Sequence, residues 1–200
     1  MDARPIDVRW EGGFSPFGMS WQKLMMWLFI VTDALLFAGF LASYGFSRLG
    51  SSNWPDATKV FHIEFLTVMT FVLISSSATM AAAVTASKTG DRRRTMKYLL
   101  LTALGGAIFL GMQGIEWGQI ISQGGSLSAN KWGDPLFTGY FFMITGFHGT
   151  HVLLGVVILF ITLFRTMDSK STPNGVEVAG LYWHFVDLVW VFIFGCYYLI

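Results

Sequence analysis

Apolar residues fill five long stretches of the chain, Leu24–Phe46, Glu64–Ser87, Lys97–Ile121, Leu136–Phe164 and Val178–Ile200, and short polar segments separate them. Each is long enough to cross the hydrocarbon core of a bilayer, which takes about 20 residues in a helix. The pattern therefore predicts an all-α, polytopic fold of five transmembrane helices, with a single domain over residues 24–200 behind a polar tail at 1–23. The second helix is expected to start ahead of its apolar run, near Pro55, a residue suited to a first helical turn behind Asn53. The fourth run exceeds what a span needs, so that helix should tilt or project beyond the bilayer.

Small residues recur four apart within these runs, as in Ala34/Ala38/Ala42, Ala78/Ala82/Ala86, Ser75/Thr79/Ala83 and the pair Gly114/Gly118. Lipid supplies no hydrophobic drive between helices, so close packing at small residues has to hold such a bundle together. Five helices carry more of these faces than an isolated bundle would use, which points to a larger membrane complex.

Composition agrees. Hydrophobic residues make up 54% of the chain and charged residues 12%, about half the charged share of a soluble domain. A formal net charge of +1 gives no global field toward nucleic acid. The single cysteine, Cys196, excludes an internal disulfide. The first apolar run is too long and too late for a signal-peptide core. No repeat or low-complexity segment divides the chain.

Loop charge predicts the orientation. With five spans, Arg4, Arg9, Lys23, Lys88, Arg92, Arg93, Arg94, Lys97, Arg165 and Lys170 share one side, and Arg48, Lys59 and Lys131 the other. Ten against three places the N-terminus in the cytoplasm and the C-terminus outside. The basic cluster around Asp91 reads first as a topology anchor and second as a site for anionic lipid.

Ionisable groups inside spans are costly and mark functional sites unless they are paired. His148 and His151, three apart in the fourth run, share one helix face beside Gly146, Gly149 and Thr150. A di-haem site would pair histidines at matching depth, yet His184 lies roughly 10 Å away along the membrane normal at about 1.5 Å per residue. A di-iron site would use paired Glu-x-x-His motifs, which are absent. Structural, hydrogen-bonded histidines fit better, with no metal or cofactor in this chain. His184 and Asp187 are also three apart and can pair with each other or with a neighbouring helix. Asp33 sits in mid-helix with no identifiable charge opposite and must face protein. Glu64, in an apolar stretch without a basic partner on its own helix, is the carboxyl expected to be isolated by burial, and Glu116 reads as an ordinary interfacial one.

Two segments carry a family resemblance. Thr145-Gly146-Phe147-His148-Gly149-Thr150-His151-Val152 resembles the Thr-Gly-Phe-His-Gly-x-His-Val signature of subunit III of haem–copper respiratory oxidases. Tyr182-Trp183-His184-Phe185-Val186-Asp187-Leu188-Val189-Trp190 is similar to its Tyr-Trp-His-Phe-Val-Asp-x-Val-Trp segment, and the likeness runs from about Met26 to the C-terminus. The resemblance implies a non-redox accessory subunit of the bacterial inner membrane, in a five-helix form. Haems and copper would lie in its partner, subunit I, which the chain would stabilise and support in proton uptake. Bound phospholipid would line a cleft, and Glu64, with His62 beside it, would take the family's lipid-cleft or proton-related glutamate position. Against that pattern, the chain lacks two helices that many members have, and it carries Thr32-Asp33 where Ser-Glu is frequent. A related protein associated with nitric oxide reductase shares much of the pattern. The competing classes are a haem-binding membrane cytochrome and a stand-alone proton-coupled transporter.

Overall fold

A computed structural model describes residues 19–168 and 171–199. The helices are α1 (Trp21–Gly50), a short α2 (Ala57–Val60), α3 (Ile63–Lys88), α4 (Arg92–Ser122), α5 (Pro135–Met167) and α6 (Pro173–Ile193), and α6 runs on as a π-helix over Phe194–Leu199. Five of these helices are long and apolar enough to cross a membrane. α5, from the longest apolar run, is the longest helix at 33 residues. Most of the expected polar tail, and Lys170, lie outside the described residues.

Side chains written into the sequence set the helix starts. Ser20, Asp91, Asp134 and Thr172 each accept a backbone N–H of the first turn, and Pro135 and Pro173 occupy first-turn positions behind the last two. The expected early start of the second span resolves differently. Asp56 caps the single turn α2, after which Phe61 adopts an extended backbone and α3 begins at Ile63. The break lets the Phe61 ring pack among Phe137, Phe141, Tyr197 and Tyr198, which a continuous helix would not allow.

α3, α4, α5 and α6 form the core, and α1 leans on α5 and α6. Only Asp33, Phe37 and Tyr44 of α1 are buried, so most of its apolar surface faces outward. The small residues divide into two groups. A Cβ added at Gly105 would come within 2.7 Å of Ser76, one at Gly149 within 2.9 Å of the Gln113 amide, and one at Gly155 within 2.9 Å of the Trp183 ring. Gly114 and Gly118, by contrast, have open space beside them, and Ala34, Ala38 and Ala42 are exposed. Those two stripes do not pack within this chain.

Polar bonds fasten both ends of the bundle. At one, Arg92 donates to the last carbonyls of α5, from Nε to Thr166 O at 2.8 Å and from Nη2 to Met167 O. There Glu177 of α6 also accepts from Lys23 of α1 at 3.1 Å and Lys88 of α3 at 3.4 Å. At the α2 end, Ser51 Oγ donates to Asp134 Oδ2 at 2.7 Å and ties the α1–α2 loop to the start of α5.

Candidate functional site

The interior polar groups fall into three clusters. The first joins α1 to α5. Asp33, 8% exposed, places Oδ2 3.4 Å from His151 Nε2, and His151 Nδ1 lies 2.8 Å from the Phe147 carbonyl oxygen. A carbonyl only accepts, so Nδ1 carries a hydrogen and Nε2 faces the Asp33 carboxyl, whose Oδ2 makes no hydrogen bond in the protein. Carboxylic acid against neutral ring, or carboxylate against imidazolium, leaves the pair neutral overall, which is how acid and base are tolerated together in low dielectric. Phe37 and Phe147 flank the His151 ring, and the Tyr182 hydroxyl donates to the His151 carbonyl at 3.0 Å. Asp33 thus has a charge partner, which the sequence alone did not identify.

His148 behaves differently from its neighbour. It is fully buried against Phe37, Phe109 and Trp190, and neither ring nitrogen has a hydrogen-bond partner in the protein. His151 is hydrogen-bonded along its own helix, whereas the helix turns the His148 ring into an aromatic wall. Among the described residues, no three His, Cys, Asp or Glu side chains are grouped to hold a metal ion.

The second cluster joins α6 to α3. His184 Nδ1 lies 2.6 Å from Ser77 Oγ, whereas Asp187, one turn further along α6, keeps a buried Oδ1 without a hydrogen-bond partner.

The third cluster lies toward the α2 end and centres on Glu116, which the sequence reading took for an ordinary interfacial carboxyl. Glu116 of α4 is 4% exposed, its Oε2 accepts the Tyr198 hydroxyl at 3.3 Å, and its Oε1 has no partner. One turn along α4, Gln113 Nε2 donates to the Thr145 carbonyl at 2.6 Å, and its Oε1 is also unpartnered. The usable signal was phase. Thr102, Gly106, Phe109, Gln113, Glu116 and Ile120 recur at spacings of three and four and form the buried face of α4.

Glu64 does not share this interior. It sits in the first turn of α3, exposed on the side that carries Val68 and Phe71, with an exposed His62 before it. The carboxyl expected to be isolated by burial faces away from the bundle, and Glu116 is the buried one. On the outer surface of α4 and α5, an apolar groove of about 650 Å³ runs past Trp117, Phe142, Met143, Gly146, Phe147 and Thr150.

The family model for cytochrome c oxidase subunit III matches residues 7–200. Cytochrome c oxidase subunit 3 of Corynebacterium diphtheriae is 35% identical over 86% of this chain and 85% of its own length. The protein of the same name from Thermostichus vulcanus is 32% identical over 90% and 87%. A probable quinol oxidase subunit 3 of Staphylococcus epidermidis is 30% identical over 100% and 96%. With its bacterial relatives and five long apolar helices, this is a multi-pass membrane protein of the respiratory chain. The chain belongs to the cytochrome c oxidase subunit III family, whose members serve cytochrome c and quinol oxidases.

Proposed function

We propose that the chain is the non-redox accessory subunit of a proton-pumping haem–copper terminal oxidase. It packs beside the haem- and copper-bearing subunit I, stabilises it, holds phospholipid and supports proton uptake. The observation that carries the proton part is the buried Asp33–His151 pair, an acid and a base 3.4 Å apart that links α5 to α1, a helix otherwise mostly outward-facing. The exposed Ala34/Ala38/Ala42 stripe of α1 supports packing against a partner helix. The groove between α4 and α5 has the apolar lining and the size to take an acyl chain. Glu64 and His62, exposed at the α2 end of the bundle, fit contacts with lipid headgroups or with protons at the edge of the subunit. The N-terminus lies in the cytoplasm in this reading, with the arginine-rich α3–α4 turn on the same side.

The test uses the purified oxidase carrying Asp33→Asn, which keeps a polar side chain of the same shape but cannot ionise. The complex assembles with its normal haem content, takes up protons more slowly in turnover and loses activity sooner than the wild type. Wild-type proton uptake and turnover lifetime in a fully assembled Asp33→Asn complex refute the proton role. Absence of this chain from the purified oxidase refutes the assignment as a whole.

A further inference from the structure

We propose that Glu116 and His62 border a single-water site through which the buried Glu116 carboxyl exchanges protons with the aqueous phase at the α2 end of the bundle. A cavity of about 10 Å³ lies between α3 and α4, and its lining includes Glu116, Gln119, Gln123 and His62 beside apolar residues of both helices. That size sits at the threshold for one water molecule, which also needs two to four polar partners. Glu116 Oε1 is buried and has no partner in the protein, whereas Oε2 is held by Tyr198. A buried carboxyl oxygen left unpaired carries an uncompensated desolvation penalty, which a water in the adjacent cavity relieves.

The broken start of α3 gives the site its outlet. Because the chain leaves α2 at Phe61, that ring drops into the aromatic core and the next residue, His62, stands exposed at the cavity. An imidazole accepts at one nitrogen and donates at the other, as a relay to solvent requires. In the transfer, the Glu116 proton passes from Oε1 to the water and the water gives one of its own to His62. The carboxylate that remains keeps the Tyr198 O–H as donor.

The groups that face Glu116 are few. On the π-helix they are Tyr198 and Tyr197, and the Tyr197 hydroxyl is tied to the Phe137 carbonyl at 2.7 Å. His62 faces it from the start of α3. On α2, Lys59 is engaged by Asp56 at 3.2 Å, and Glu64 points outward. The inference is independent of the role given to Asp33 and His151.

The test is a pH-jump infrared measurement on the assembled oxidase. The bands of Glu116, acid form and carboxylate, are assigned by their loss in Glu116→Gln, or by ¹³C-labelled glutamate if that variant does not assemble. In the wild type they follow the jump. In His62→Leu, an exposed position that leaves the core untouched, they follow about a hundredfold more slowly, the lower end of what a positioned acid–base group contributes. A Glu116 that shows no pH-dependent band, or one that responds equally fast in His62→Leu, overturns the proposal.

Discussion

Gly106→Ala tests whether the bundle is organised around one indole. A Cβ at this position would overlap Trp183 Cη2 and lie 2.8 Å from Val156 Cγ2, both on buried side chains. The ring cannot simply swing aside. Gly155 of α5 closes its other edge, where an added Cβ would meet Cε3 and Cζ3 at 2.9 Å, and its Nε1 donates to Ser76 Oγ at 3.0 Å. Overpacking of this kind costs about 1–3 kcal/mol. Shifting the ring off Ser76 adds about 0.5–1.5 kcal/mol for the lost hydrogen bond. Replacing glycine by alanine in a helix returns about 1 kcal/mol. The net loss is about 2 kcal/mol, roughly a 30-fold change in the folding equilibrium. Detergent-titrated unfolding of the purified complex measures it, and Trp183→Phe in the same background, by removing the colliding atoms, recovers most of the loss. A Gly106→Ala variant as stable as the wild type, or a double variant showing simple additivity, would refute the clamp.

Two further outcomes follow from local geometry. The Ser51 hydroxyl and the Leu136 N–H hold the Asp134 carboxyl below its ordinary value, so the ionised form favours the folded loop. Its contribution is complete above the ordinary carboxylate range and is lost as pH falls through the lowered native value. Hydrogen-exchange protection in the α1–α2 loop, corrected for the intrinsic rate, should fall on acidification, and at a higher pH in Ser51→Ala; identical midpoints would contradict this. At His148, leucine has nearly the same volume and removes two unpartnered nitrogens. His148→Leu is expected to leave the yield and thermal stability of the complex unchanged or raised, and a loss above about 2 kcal/mol, the middle of the range for a broken buried polar contact, would show that the ring has a polar partner.

The five spans were legible because length and apolarity alone define a bilayer-crossing helix, and α5 came out longest as its run implied. The break at Phe61 and His62 was not, because distant aromatic partners on α5 and the π-helix impose it. Rotation was harder still. In a span where nearly every position is apolar, periodicity barely distinguishes inside from outside, so Glu64 was expected inside and Glu116 at the interface, whereas α3 turns Glu64 out and α4 turns Glu116 in. Asp33 lacked a visible partner for the same reason, since its base lies 118 positions further along the chain, on α5. Ser75 was read as a packing residue from its spacing, and its neighbours Ser76 and Ser77, outside that spacing, bind α6 side chains, Ser76 to Trp183 and Ser77 to His184.

The reach of α6 has a consequence for biogenesis. Its side chains bond to α3 through Trp183 and Trp190, to α5 through Tyr182, and to α1 through Asn174 and Glu177, while the π-helix that continues it reaches α4 through Tyr198. Synthesis delivers α1 to α5 first, and until α6 arrives Ser76, Thr70 and Glu116 wait in the membrane without those partners and the slot between Gly106 and Gly155 stands open. At that stage the nascent protein can already make its α3–α4 and α4–α5 contacts but lacks every bond that α6 and its π-helix bring. Membrane quality-control proteases should find it most vulnerable in that interval.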